Sequence, residues 1–319
     1  MPHASSFAIP LWQQSFIQAA VCMVGAVLVC LGALYYFRRY RVERPPVGTF
    51  NGRDITILLA IILALPFFYA ILPAWAITCF LCLTFAASLS IGYQRLVNPA
   101  VFWGGLGLLL GANIYESHFM MGTVIGWQVW WVELDILVIL GAISVSNLYV
   151  QGGMRLKHVA FFAIALAFYD VFSTLVINVT AVLVEEFVGQ PLDPTFGFRF
   201  QATNYGIGIG DLLVYALFTV ACYKAYGRKA ARLAIGISVV FGAAAPSLCP
   251  LLIALIDFRN DILVPSQLFF APVAFVAYLW MRRKYGRERT MAEYLASEDN
   301  AAPVTAPAQP APAPEPVGV

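Results

Sequence analysis

Long apolar runs separated by short polar segments dominate the chain from residue 14 to residue 282. A helix needs about 20 apolar residues to cross a hydrocarbon core of roughly 30 Å. The pattern therefore predicts nine membrane-spanning helices, at residues 14–37, 55–72, 74–94, 99–119, 128–149, 158–183, 203–224, 231–256 and 264–282. The second and third spans share one apolar stretch, which we divide at Pro73. We predict an all-α polytopic membrane protein.

Composition supports this class, because 61% of the residues are hydrophobic and only 11% are charged. An ordinary soluble globular domain does not have that balance. We predict an outer N-terminal segment at residues 1–13, a membrane domain at residues 14–283 and a cytosolic, Ala/Pro-rich disordered tail at residues 284–319. The net charge of +2 gives no indication of nucleic-acid binding.

Basic residues occupy alternate connections between the predicted spans. They follow the first, third, fifth, seventh and ninth spans, as Arg38, Arg39, Arg41, Arg44, Arg53, Arg95, Arg155, Lys157, Lys224, Arg228, Lys229, Arg232, Arg282, Arg283, Lys284, Arg287 and Arg289. Because cytosolic connections are enriched in Lys and Arg, this pattern places the N-terminus outside and the C-terminus in the cytosol. An odd number of spans is required for that arrangement.

Two aspartates lie deep in consecutive apolar runs, Asp170 in the sixth span and Asp211 in the seventh. An intramembrane carboxylate is costly and by default indicates a functional site. Asp170 follows Lys157 by 13 residues and Asp211 precedes Lys224 by 13, so each is roughly 20 Å from the charged layer. Consecutive spans joined by a short outer connection tend to be neighbours. We therefore predict that the two carboxylates face each other.

The surroundings of both aspartates fit a polar cleft. On the Asp170 helix, positions three to eight residues away form a small and polar stripe of Ala163, Ala167, Ser173, Thr174 and Asn178. In the next span, Gly208 lies three residues before Asp211 and predicts a close backbone approach. Glycines at 206, 208 and 210 also weaken the helix by roughly 1 kcal/mol each.

Two adjacent carboxylates are suited to general acid and base chemistry. Like charges a few ångströms apart do not both ionise, so one proton is shared between them. The ionised member can activate water while the protonated member polarises a carbonyl group. Peptide hydrolysis needs both roles, and no metal or cofactor is expected. We do not expect His3, His118 or His158 to bind one.

Tyr169-Asp170 on one span and Gly208-Ile209-Gly210-Asp211 on the next resemble the signature of the intramembrane aspartyl proteases, the presenilins and signal peptide peptidases. Residues 168–172, continuing through Asn178-Val179-Thr180 to Glu185, look like the sixth span of signal peptide peptidases, and residues 208–215 are similar to the presenilin seventh span. The resemblance covers roughly residues 14–283. It implies a nine-helix fold with Asp170 and Asp211 as the catalytic pair. The predicted orientation is similar to that of signal peptide peptidases, which implies substrates whose own span has its N-terminus in the cytosol.

One motif departs from the family pattern. The family carries Pro-Ala-Leu at the start of the ninth span, whereas this chain reads Pro265-Ser266-Gln267. The resemblance implies substrate positioning by Tyr169, Gly208, Ile209, Gly210 and by Pro265, Ser266 and Gln267. The outer connection at residues 185–203 is a candidate gate that orders when substrate binds.

Two other classes use comparable residues. A proton-coupled transporter or channel could use Asp170 and Asp211 as a relay, although the two halves of the chain show no inverted repeat. A prepilin peptidase also carries a Gly-x-Gly-Asp element, but near the cytosolic surface, and Asp211 is too deep for that. The sequence therefore predicts a protease that acts on transmembrane helices in the lipid bilayer, with no accessory subunit evident.

Overall fold

The computed structural model describes residues 10–42, 52–177, 190–197, 206–257 and 264–297. Within these ranges the protein is helical apart from one two-stranded sheet. The helices are α1 (Leu11–Arg39), α2 (Gly52–Ile71), α3 (Ala74–Tyr93), α4 (Pro99–Phe119), α5 (Val124–Gln151), α6 (Leu156–Val171), α7 (Ile209–Tyr226), α8 (Arg228–Ile237), α9 (Ala245–Asp257), α10 (Gln267–Tyr285) and α11 (Met291–Leu295). Two π-helical segments, Phe172–Val176 and Ser238–Ala244, extend α6 and join α8 to α9.

Seven helical segments of the described chain are long and apolar enough to cross a membrane. They correspond to the first, second, third, fifth, sixth, seventh and eighth predicted spans. The fourth and ninth predicted spans are also helical, as α4 and α10, but are not among these seven. The predicted all-α class is confirmed, and seven helices fit the predicted membrane spans by length and composition, whereas the count of nine spans is not confirmed.

Helix α7 lies at the centre of the bundle. Almost every side chain from Leu212 to Ala225 is buried, because α1, α5, α6, α8 and α10 all pack against this helix. Large apolar side chains such as Leu28, Ile61 and Leu83 are exposed on the outside of the bundle. An apolar exterior around a buried central helix is the arrangement expected for a protein surrounded by lipid.

A short antiparallel hairpin precedes α7. Strand β1 (Thr195–Phe196) pairs with β2 (Ile207–Gly208), with Thr195 opposite Gly208 and Phe196 opposite Ile207. Helix α7 therefore begins at Ile209, and the predicted helical span at 203–224 is wrong for residues 206–208. Extended backbone at Gly208 and strand pairing replace the helical turn expected there.

The π-helical segments replace predicted regular helix at two places. Asp170 lies in the last α-helical turn of α6, immediately before the segment Phe172–Val176, and residues 178–183 of the predicted span lie outside the described chain. The predicted span at 231–256 is one continuous helical rod from α8 to α9 with the segment Ser238–Ala244 at its middle. Single turns of π-helix often occur at functional sites.

The region after α10 corrects the predicted disordered tail at 284–319. Residues 284–285 complete α10, and α11 is capped at its N-terminus by Thr290. Tyr294 in α11 is fully buried against Phe37 of α1 and Tyr223 of α7. An aromatic anchor therefore holds this segment, and only residues 298–319 of the predicted tail lie outside the described chain. Of the candidate gate at 185–203, only residues 190–197 are described.

Candidate active site

Asp211 lies in the first turn of α7, three residues after the N-cap residue Gly208. Its carboxylate lies beside the backbone N–H of Gly208, which is one of the donors that a helix start leaves without a helical partner. The N-terminal end of a helix carries partial positive charge, which stabilises a carboxylate. The local fold therefore supplies part of the electrostatic support that this intramembrane charge requires.

Asp170 lies near the C-terminal end of α6, where the backbone changes to π-helix. Its carboxylate accepts a hydrogen bond from the Thr174 hydroxyl, and Ser173 Oγ donates to the Asp170 carbonyl oxygen at 3.2 Å. Ser173 and Thr174 are buried, as are Ala163 and Ala167 of the predicted stripe. The small and polar stripe thus faces the interior of the bundle, and Asn178 lies outside the described residues.

Gln267 contacts both carboxylates. Its side-chain Nε2 donates to Asp211 Oδ1 at 2.6 Å, and its backbone N–H lies beside the Asp170 carboxylate. The two carboxylates are close enough to interact electrostatically. Both carboxylates are half-buried. The first residue of α10 therefore joins the two aspartate-bearing helices at one point.

The segment Pro265-Ser266-Gln267 leads directly into α10 beside the two aspartates, and its side chains are buried. The Ser266 hydroxyl lies near Asp211 and Tyr215 but is not aligned for a hydrogen bond with either. Gln267 Oε1 is also buried and has no hydrogen-bond partner within the described residues. A buried acceptor without a partner is costly, which makes Gln267 Oε1 a candidate contact for a bound molecule.

The close backbone approach predicted at Gly208 is not observed among the described residues. A Cβ atom at Gly208 would lie 3.8 Å from Asp211 Oδ2, and one at Gly210 would meet no described atom within 4 Å. The close backbone approach occurs at Gly206 instead, where a Cβ atom would lie 3.0 Å from the carbonyl oxygen of Phe196. Gly210 is exposed, so it leaves open space beside Asp211.

The two remaining candidate residues flank the aspartates. Ile209 is half-buried, and its backbone N–H donates to the carbonyl oxygen of Pro194 at 2.8 Å. It thereby fixes the first residue of α7 to the hairpin. Tyr169 is half-buried next to Asp170 at the end of α6.

Sequence reasoning did not single out Tyr215 as part of this site. Tyr215 is fully buried, and it lies near Asp211, Asp170 and Ser266. Its hydroxyl donates to the carbonyl oxygen of Gly242 at 2.8 Å. The available signal was its spacing, because a residue four positions after Asp211 lies on the same helix face.

The described residues contain no group of three or more His, Cys, Asp and Glu side chains that could hold a metal ion. The chemistry available from the described side chains is proton transfer between two carboxylates, with amide and hydroxyl groups beside them. No known protein family and no curated protein matches the chain.

Proposed function

We propose that the protein is an intramembrane aspartyl protease of the Gly-x-Gly-Asp type, which hydrolyses peptide bonds within transmembrane helices. The observation that carries this proposal is the contact of Gln267 with both Asp170 and Asp211. A structural aspartate in a helix bundle needs one partner to satisfy it. Two half-buried carboxylates close enough to interact electrostatically are the arrangement that acid and base catalysis requires.

The proposed reaction uses one water molecule and the shared proton. The ionised carboxylate accepts a proton from water as its oxygen attacks the carbonyl carbon, and the protonated carboxylate donates its proton to the carbonyl oxygen. The tetrahedral intermediate then collapses, the C–N bond breaks and a proton passes to the leaving amine. Atoms and charges balance without any further reactant. The roles of Asp170 and Asp211 remain exchangeable in this scheme.

Substrate access is proposed on the open side of α7. Gly210 is exposed next to Asp211, so an extended peptide could approach the carboxylate without meeting a side chain there. Gln267 Oε1 is buried without a partner, so we propose that this side chain turns on substrate binding and accepts a hydrogen bond from a substrate backbone N–H. A peptide must leave its helical conformation to expose a scissile bond, so an extended binding site is a requirement of the chemistry.

The proposed orientation places the N-terminus outside and the C-terminus in the cytosol, following the distribution of basic residues. With that orientation we propose that substrates are membrane helices whose N-terminus is cytosolic. The proposed fold is the nine-helix fold of the presenilin and signal peptide peptidase family, with α4 and α10 as the two further spans.

The test uses purified protein in detergent or lipid with a reporter whose span has its N-terminus on the cytosolic side. Asp170→Asn and Asp211→Asn keep the shape of the side chains but remove their acid and base chemistry. We expect cleavage within the reporter span by wild type and loss of at least about 10³-fold in both variants, since two-carboxylate catalysis needs both groups. Cleavage that survives in both variants would exclude the dyad.

A proton-flux assay in vesicles distinguishes the proposed protease from the alternative, a proton-coupled transporter. A transporter would show flux that is lost in Asp170→Asn and would leave the reporter uncut. For the protease we expect no flux difference between wild type and Asp170→Asn. The same purified samples serve both assays, and unchanged thermal unfolding confirms that the variants are folded.

A further inference from the structure

We propose that Asn113 of α4 and Asp135 of α5 are positioning residues for Asp211, acting through the hairpin that precedes α7. The inference rests on the proposed function. Neither residue is among the groups that contact the two carboxylates, and both lie on helices outside the aspartate-bearing pair. We call Asn113 and Asp135 together the hairpin anchor.

The α4 side of the hairpin anchor holds a backbone segment in an unfavourable conformation. Asn113 Oδ1 accepts from the backbone N–H of Leu192 at 2.8 Å, and both residues are fully buried. Leu192 has a φ of +60°, which side chains other than glycine, asparagine and aspartate rarely adopt. Such conformations persist where surrounding contacts fix them, and they are concentrated at functional sites. Asn113 Nδ2 lies 3.5 Å from Glu133 Oε2, which orients the amide toward Leu192.

The α5 side of the hairpin anchor holds the end of β1. Asp135 Oδ1 accepts from the backbone N–H of Gly197 at 3.0 Å. Gly197 has a φ of +132°, and a Cβ atom there would lie 2.5 Å from Gln18 Nε2 of α1. Its conformation therefore favours glycine, whereas the Gln18 amide is the end of a flexible side chain and could move aside. The carboxylate and the tight space together fix this point of the hairpin against α1 and α5.

Hydrogen bonds connect the anchored loop to the start of α7, next to Asp211. Between Leu192 and Gly197 lie Pro194, whose carbonyl oxygen accepts from the N–H of Ile209 at 2.8 Å, and β1, which pairs with β2. Gly208 in β2 then lies directly beside the Asp211 carboxylate, since a Cβ atom there would be 3.8 Å from Asp211 Oδ2. The place where α7 begins, and hence the position of Asp211, is therefore set by side chains of α4 and α5.

Hydrogen exchange of the full-length protein in detergent tests this connection without a substrate. The reporter amide is that of Ile209. We expect Asn113→Leu and Asp135→Ala each to speed exchange of this amide about tenfold, because each variant removes one hydrogen bond that holds the loop before α7. Asp135→Asn keeps an oxygen acceptor at the same position, so its exchange should stay close to wild type.

Asn147→Leu is the matched control. Asn147 is a fully buried asparagine of α5 that donates to the carbonyl oxygen of Ala33 at 3.2 Å, away from the hairpin. We expect it to lower thermal stability without changing exchange at Ile209. Unchanged exchange in both Asn113→Leu and Asp135→Ala, or an equal increase in Asn147→Leu, would overturn the inference. If Asn113→Leu does not fold, the comparison of Asp135→Ala with Asp135→Asn decides alone.

Cleavage kinetics add a readout that a purely structural role would not change. We expect Asp135→Ala to lower kcat about tenfold with KM unchanged, and Asp135→Asn to restore kcat, because only the placement of Asp211 is altered. Unchanged kcat in Asp135→Ala would contradict a positioning role. If the wild-type protein cleaves no substrate, the proposed function is wrong. If exchange at Ile209 is unchanged in the anchor variants, only this inference is wrong.

Discussion

The Tyr215 hydroxyl donates a hydrogen bond to the carbonyl oxygen of Gly242, and the ring packs where a side chain at residue 242 would lie. Gly242 belongs to the π-helical segment between α8 and α9, and Tyr215 is one turn beyond Asp211 on α7. The irregular segment thus contacts the same face of α7 that carries the candidate catalytic carboxylate. The absence of a side chain at Gly242 is what permits this approach.

Gly242→Ala should destabilise the protein by about 1–3 kcal/mol, the usual cost of inserting atoms into a packed core. The added Cβ would lie 2.6 Å from Cζ of Tyr215, so the ring or the helix must move. Thermal unfolding in detergent measures the effect. Gly236→Ala in α8 is the control, because a Cβ there meets no described atom within 4 Å and alanine favours the helix. Equal unfolding temperatures for the two variants would contradict the packing argument.

Gly25→Ala should weaken the contact between α1 and the hairpin. A Cβ at Gly25 would lie 2.2 Å from Cε1 of Phe196 in β1, so the phenyl ring must leave its site. We expect a loss of about 1–3 kcal/mol in unfolding free energy and faster amide exchange in the hairpin. Adding Phe196→Leu should recover part of the loss, since the smaller side chain makes room. A double variant that is additive instead of compensating would show that the two residues are not coupled.

Gln267→Leu should lower kcat of the proposed protease by about tenfold, because it removes the Nε2 donor to Asp211 while leaving the backbone N–H beside Asp170. Reporter cleavage gives kcat and KM separately. Asn147→Leu, which removes a buried amide of α5 that donates to Ala33 instead of to an aspartate, is the control. An increase in kcat would mean that Gln267 restrains the dyad instead of supporting it.

The sequence predicted the helical class and which apolar runs form helices, because span length and hydropathy are local properties. The boundary at Pro73 is confirmed, with α2 ending at Ile71 and α3 beginning at Ala74. The approach of Asp170 to Asp211 followed from equal depths on consecutive spans. These features require only the helix rise per residue and the membrane thickness.

Other features depend on contacts distant in sequence. The start of α7 at Ile209 is fixed by Pro194 and by strand pairing, and glycine propensity alone indicated only a weakened helix. The link from Asp211 to Gln267 joins residues 56 positions apart. Helix α11 is packed against the bundle because Tyr294 is buried among aromatic side chains of α1 and α7. The amino-acid composition of the tail does not reveal this contact.

Arg289, which follows α10 in the chain, should stabilise the C-terminal end of α7. Its guanidinium donates to the carbonyl oxygens of Lys224 at 3.0 Å, Ala225 at 3.2 Å and Tyr223 at 3.3 Å, which are among the last of the helix. Arg289→Lys loses this fork of donors, so we expect a cost of about 1–3 kcal/mol in unfolding free energy. The exposed Arg283 provides the control as Arg283→Lys. Equal stability of the two variants would contradict the capping role.

Tyr294 should account for most of the attachment of α11. Its ring centroid lies 5.0 Å from that of Phe37 and 5.9 Å from that of Tyr223. Tyr294→Ala should cost about 3 kcal/mol, in the range for large aromatic side chains removed from a core. Deleting residues 298–319 should leave thermal unfolding unchanged, as expected for an Ala/Pro-rich tail. A large loss from the deletion with none from Tyr294→Ala would reverse this assignment.

The cap of α11 should respond to acid. The Glu293 carboxylate accepts from the backbone N–H of Thr290 at 2.7 Å and pairs with Arg287, and Thr290 Oγ1 accepts from the Glu293 N–H at 3.2 Å. The Thr290 N–H, followed by the Arg287 charge, lowers the pKa of Glu293 below its ordinary 4.5. A lowered pKa in the folded state means that the cap contributes fully above pH 4.5 and is lost as pH falls through the lowered value.

Exchange of the Tyr294 amide, which donates to the Thr290 carbonyl oxygen at 3.0 Å, reports on this cap. Glu293→Gln keeps an oxygen acceptor but removes the charge. In this variant the protection of the Tyr294 amide from exchange should therefore not depend on titration of residue 293. We expect wild type to exchange more slowly than Glu293→Gln at neutral pH, and the ratio of the two rates to approach one in acid. Using the ratio removes the intrinsic pH dependence of exchange. A ratio that stays constant from neutral to acidic pH would show that the ionised carboxylate does not stabilise α11.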